Sequence, residues 1–186
     1  GDSADMTNYL PYELRLGRRL ELLLRDRFPQ RRIDVHCLAE GGEYLQRLVD
    51  SGRLERELRV LPRCDIVLIR YGLNDASRRI VPSAFGQQLR TACARVRTRF
   101  PRARIVLSTT IPPSSEPYNR QARIAARALK LPLIPLDRYL RLRSAAGDSD
   151  WLGVSRQGCG GSQLAKPSMW THSGVPARWL GTAAPP

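Results

Sequence analysis

Asp65-Ile66-Val67-Leu68-Ile69-Arg70-Tyr71-Gly72-Leu73-Asn74-Asp75 is an aliphatic run that ends in a polar, glycine-containing turn. Four successive branched aliphatic residues, with no polar alternation, suit a strand covered on both faces, as in a parallel sheet. The pattern recurs downstream. Arg104-Ile105-Val106-Leu107-Ser108 reads as a strand, and Pro112-Pro113 closes the loop after it. Leu133-Ile134-Pro135-Leu136 reads as a short strand, and upstream Ile33 to Leu38 is expected to be another.

Helical spacing fills the intervals. Pro11-Tyr12-Glu13 opens a stretch through Phe28, with Leu14, Leu20, Leu23 and Leu24 as its apolar face and Pro29 as its stop. Tyr44, Leu45, Leu48 and Val49 resume that spacing. Phe85 to Phe100 is a long helix ended by Pro101, Asn119 to Leu129 is another, and Tyr139 to Leu142 begins a last one. Strands alternating with helices predict an α/β fold, a three-layer α/β/α arrangement around a parallel sheet with right-handed crossovers. From Gly153 onward glycines and prolines break every period, and Asp150 is the last acidic residue. Residues 1–152 therefore read as one domain and residues 153–186 as an irregular or disordered tail.

Bulk properties exclude several classes. The 186 residues suit one domain, and 42% hydrophobic with 26% charged residues is ordinary for a globular protein. No apolar run approaches the roughly 20 residues of a membrane span. No secretory segment is visible, which favours a cytoplasmic reading, and a start so close to a motif suggests lost upstream sequence. The net charge of +14 and pI near 10.9 raise nucleic-acid binding. However, the arginines are spread over every helix and aromatics are only 6%, so arginine-rich helix surfaces are the expectation and nucleic acid is not the expected partner. Cys37, Cys64, Cys93 and Cys159 contain no C-x-x-C pair, which excludes zinc-finger spacing. The first three lie in or beside apolar segments, where a free buried thiol is the default.

In open α/β sheets, sites form outside the carboxyl ends of the strands. Three polar turns qualify: Gly1-Asp2-Ser3, Gly41-Gly42-Glu43, and Gly72-Leu73-Asn74-Asp75. A serine nucleophile needs an exposed hydroxyl on a tight turn with a base nearby. A tetrahedral intermediate needs preorganised donors. Gly42 offers an N–H with no Cβ in the way, and Asn74 a side-chain amide. Gly41 is an alternative to Gly42, and Asn74 could instead be a turn former. Asp2 and Asp75 read as braces that accept backbone N–H bonds.

Gly-Asp-Ser, a glycine after the next strand, and Gly-x-Asn-Asp after the third form a block order that resembles the SGNH (GDSL-like) ester hydrolases, over roughly residues 1–152. The resemblance implies a flavodoxin-like parallel sheet of order 2-1-3-4-5, its first strand largely missing because Gly1 leaves no room for it. It implies acyl transfer from acyl or acetyl esters, with Ser3 as nucleophile and Ser3, Gly42 and Asn74 as the oxyanion hole. No metal or organic cofactor is implied, a small-molecule ester is the partner, and oligomeric state stays open. The family's Asp-x-x-His block should fall near Asp150, but position 153 is Gly153. Asp150 then matches the orienting aspartate, and His172, in the tail, is the candidate base. His36 lies in an expected strand and reads as packed or on the surface. As written, the chain is expected to be a poor catalyst. The alternative is an inactive SGNH-like ligand-binding domain or a gene fragment.

Overall fold

The computed structural model describes Gly1, Asp5, residues 10–111 and residues 115–145. The division at 152/153 and the tail lie outside them. Three parallel strands, β1 (Ile66–Arg70), β2 (Arg104–Ser108) and β3 (Leu133–Ile134), form a sheet of order β1-β2-β3. They are the third, fourth and fifth strands of the expected order. Helices α1 (Leu16–Arg27), α2 (Leu45–Asp50), α3 (Arg53–Arg59), α4 (Leu73–Ser77), α5 (Pro82–Arg99), α6 (Glu116–Ala128) and α7 (Leu136–Ala145) complete the α/β architecture.

Register explains the core. Val67 pairs with Ile105 and Ile69 with Leu107, so these four side chains share one sheet face. Ile69, Ile105 and Leu107 are buried there beneath α2, α3, α5 and α6. In α5, Phe85, Leu89, Cys93 and Val96 recur at helical spacing, and all are at most 2% exposed. Pro82 starts that helix where its missing N–H costs nothing. Opposite, α6 presents Ala122, Ala125 and Ala126, small enough for the helices to approach closely. The approach is tight at Gly86, where a Cβ would stand 2.4 Å from the Gln121 Oε1 atom. Phe85 and Tyr118 close the upper end with rings 5.4 Å apart, edge to face.

Two expectations are corrected. Ile33 to Leu38 forms no strand, and the reason is that a strand needs a neighbour to complete its ladder. No strand of the described sheet pairs with it, and β1 stands at the edge of that sheet. Ile66 (62% exposed) and Leu68 (43%), on the face opposite Ile69, are uncovered. Helix α1 buries no residue, and Leu14 and Leu23 remain exposed. The helix expected from Pro11 also breaks at Arg15, which is extended after a 3₁₀ turn over Tyr12–Leu14.

Among the cysteines, only Cys93 meets the buried expectation, and burial pushes its thiol up to about 11. Cys37 is exposed because its segment lacks a sheet to cover it, and Cys64 is intermediate. Cys159 lies outside the described residues. The short β3 has a simple cause. Pro132 and Pro135 flank it without N–H groups, and the Pro135 carbonyl instead accepts from Arg138 and Tyr139 to start α7.

Replacing Phe85 with alanine should cost about 3–5 kcal/mol, because it empties the α5–α6 contact beside the sheet. Urea unfolding should show a lower midpoint with an unchanged slope.

Candidate active site

Asn74 follows the carboxyl end of β1, Gly42 lies in the segment before α2, and buried polar groups hold them. Gly72 follows β1 with φ +122, a conformation open to glycine alone in practice. A Cβ on it would also lie 3.1 Å from the Tyr118 Cβ and 3.2 Å from the Thr110 Cγ2. The chain can therefore turn sharply into α4, whose first residues are Leu73, Asn74 and Asp75.

Asp75 is completely buried. Its carboxylate accepts the Gly72 N–H at 3.1 Å and the Leu45 N–H at 3.0 Å. One side chain thus caps its own helix and reaches the start of α2, 30 residues earlier in sequence. This is the bracing role expected of Asp75. The Asn74 side-chain amide donates to the Glu43 carbonyl at 2.8 Å. An amide nitrogen carries two hydrogens, so one donor position remains after that bond.

Gly42 lies just before Glu43 with φ +71, and no heavy atom stands within 4 Å of where its Cβ would be. Of the Gly41-Gly42 pair, it is Gly42 that has the positive φ. Its N–H finds no acceptor among the described residues. The turn beneath it is pinned by Glu43, which sequence reading did not single out. The Glu43 side chain is fully buried and ion-paired with Arg53, which also meets Glu40 and Glu57 and donates to the Leu38 carbonyl. Burial draws the Arg53 guanidinium down, but the hydrogen bonds it donates to Glu43 and Glu57 and the Glu40 charge outweigh it and raise it above its ordinary value.

Ser3, Asp150 and His172 lie outside the described residues. On either side of Ser3, the Gly1 carbonyl accepts from the Glu40 N–H at 3.4 Å, and the Asp5 carboxylate pairs with Arg70 at 2.6 Å. Asp5 and Arg70 are each 8% exposed, so this ion pair ties the N-terminal segment to the end of β1. His36 is exposed and lines a cavity of about 360 Å³ with Tyr12, Arg15 and Arg18; neither Gly42 nor Asn74 lines it. No group of three or more His, Cys, Asp or Glu side chains able to hold a metal occurs among the described residues.

The neighbouring loops are equally fixed. Asn119 hooks the Thr110 backbone, accepting from its N–H at 2.7 Å and donating to its carbonyl at 3.1 Å. Asp137 accepts the Thr109 hydroxyl at 2.6 Å and pairs with Arg123. Burial pushes the Asp137 carboxyl up, but the Thr109 and Arg123 hydrogen bonds, the Arg123 charge and the Arg138 amide together hold it below 3.8.

Gly42 and Asn74 are thus bridged into one rim through Glu43 and Asp75. The model of the GDSL-like Lipase/Acylhydrolase family matches residues 1–168. The chain belongs to this family. Among solved structures it resembles AlinE4, an SGNH-hydrolase family esterase, at 19% identity and TM-score 0.64, covering 90% of this chain and 83% of that one. TesA aligns at 22% identity and TM-score 0.62, covering 72% and 73%. Protein YXIM from Bacillus subtilis aligns at 21% and TM-score 0.52 over 62% of this chain, which spans only 36% of YXIM. These likenesses show the fold. No curated protein matches the sequence. No described helix is long and apolar enough to cross a membrane.

Two measurements probe the rim's support. Arg70→Met should cost about 3–5 kcal/mol by breaking the buried Asp5–Arg70 ion pair, lowering the melting temperature by about 2–4 °C per kcal/mol. The depressed Asp137 carboxyl stabilises the fold fully above its unfolded value of 3.8, and that stability is lost as pH falls below it through the folded value. Asp137→Asn should therefore flatten the acid limb of a stability-against-pH curve, whereas an unchanged limb would contradict this account.

Proposed function

We propose that this family member is built for serine ester hydrolysis at the rim that holds Gly42 and Asn74, with a small acyl or acetyl ester as substrate. The observation that carries the reading is the 2.8 Å hydrogen bond from Asn74 to the Glu43 carbonyl, supported by Asp75 beneath it. It places a side-chain amide beside the Gly42 turn, whose own N–H is unengaged among the described residues. Preorganised donors on neighbouring turns are what a developing oxyanion requires.

Ser3 is the proposed nucleophile and, through its N–H, the third donor. It attacks the ester carbonyl, the alcohol leaves, and water then releases the acyl group. The base is assigned to His172, oriented by Asp150. Donors fixed before the reaction need no reorganisation when charge appears on the carbonyl oxygen. No metal or cofactor enters this scheme.

A second reading rests on one observation. Gly153 stands where the family's histidine is expected, and no aspartate lies three residues before His172, where Met169 occurs. A rim that binds esters without turning them over would satisfy that sequence.

Hydrolysis of p-nitrophenyl acetate by the full chain, beside Ser3→Ala and Asn74→Ala, decides between them. The esterase reading expects Ser3→Ala to abolish turnover and Asn74→Ala to lower kcat about 100- to 1000-fold, with KM little changed. Equal rates in the full chain and Ser3→Ala would leave the binding reading. His172→Ala with undiminished activity would remove that residue from the scheme.

A further inference from the structure

The amino ends of the strands form a second surface, rich in cations. Arg59, Arg99, Arg102, Arg104, Arg127 and Lys130 are all exposed. Topology gathers them, because α3, α5 and α6 end where β1, β2 and β3 respectively begin. Arg99 donates to the Leu61 carbonyl at 3.0 Å, the Arg104 N–H to the Asp65 carbonyl at 2.9 Å, and the Lys130 N–H to the Arg127 carbonyl at 3.2 Å. None of the six forms an ion pair with a described residue. The carboxylate at this end, Asp65, is taken by Arg63 at 3.1 Å. By contrast, the buried carboxylates Glu43, Asp75 and Asp137 lie at the other end.

A helix C-terminus favours a cation, which accounts for Arg59, Arg99 and Arg127. It does not account for Arg102, Arg104 and Lys130, which lie in turns or open a strand. Nor does it account for the apolar residues among them. Val60 is 73% exposed beside Arg59, and Ile66 is 62% exposed beside the Arg63–Asp65 pair. Phe100 is buried under the Arg99 guanidinium at 4.8 Å and offers no face for base stacking. Unpaired cations around protruding aliphatic side chains match an anionic bilayer, where headgroups meet the charges and the side chains enter the interface. Single-stranded nucleic acid would instead want exposed rings.

We infer that this amino-end rim docks on anionic lipid membranes and leaves the candidate active-site rim turned toward water. The inference does not depend on ester turnover. The test is co-sedimentation of the full chain with mixed phosphatidylglycerol–phosphatidylcholine vesicles and with pure phosphatidylcholine vesicles, at low and high salt. Binding should require phosphatidylglycerol and weaken with salt. The combined Arg102→Glu, Arg104→Glu and Lys130→Glu variant should lose about tenfold or more in affinity. Val60→Ser with Ile66→Ser should weaken binding while leaving its salt dependence intact, and this pair serves if the charge reversal fails to fold. Equal binding to both vesicle types would overturn the inference. So would a Val60/Ile66 variant that binds vesicles undiminished, or one that keeps a tighter affinity for a single-stranded oligonucleotide than for vesicles.

Discussion

The carboxylate of Asp75, buried without access to water, is the constraint on which the described rim depends. A charge in that position is tolerable only while hydrogen bonds replace its hydration. Two of those bonds come from chain positions that no local interaction would join, the N–H of Gly72 at the end of β1 and the N–H of Leu45 at the start of α2. Satisfying the carboxylate therefore fixes the distance between two turns. Asn74, its neighbour, is carried to Glu43 by the same geometry.

Around that link, polar and apolar groups are segregated along the sheet. The lower part is an aliphatic core of Ile69, Ile105 and Leu107 against Leu89, Cys93 and Val96. The buried polar residues Glu43, Asp75, Thr109, Thr110, Asn119 and Asp137 sit at the carboxyl end. Each ties a loop to a neighbouring element: Asn119 to Thr110, Asp137 to Thr109 and Arg123, Glu43 to Arg53. Hydrogen bonds in such a weakly solvated layer are stronger than in water, and breaking one leaves an orphan. The rim is held rigid by this layer, which suits donors that must be in place before charge develops.

Legibility followed the range of the interactions. The runs Ile66–Ile69 and Ile105–Leu107 announce strands because every residue in them is a branched aliphatic. The Gly72-x-x-Asp75 turn was readable because glycine and a carboxylate three residues later form a local cap. Glu43 was not, since its partner Arg53 is ten residues on and nothing marks the pair. Ile33 to Leu38 shows the converse failure. Its composition is that of a strand, yet a sheet's hydrogen bonds need a second strand, and no described strand pairs with it.

What the sequence alone determined was the alternation of strands and helices and the residues at the strand ends, because periodicity and turn chemistry act within a few residues. Only the tertiary structure decided that five arginines and Lys130 share the amino end of the sheet, that Gly42 rather than Gly41 takes the left-handed turn, and that Asn74 meets Glu43. Those outcomes depend on helices returning antiparallel to their strands and on one buried carboxylate reaching across 30 residues. Such long-range closure leaves no local trace in the order of amino acids.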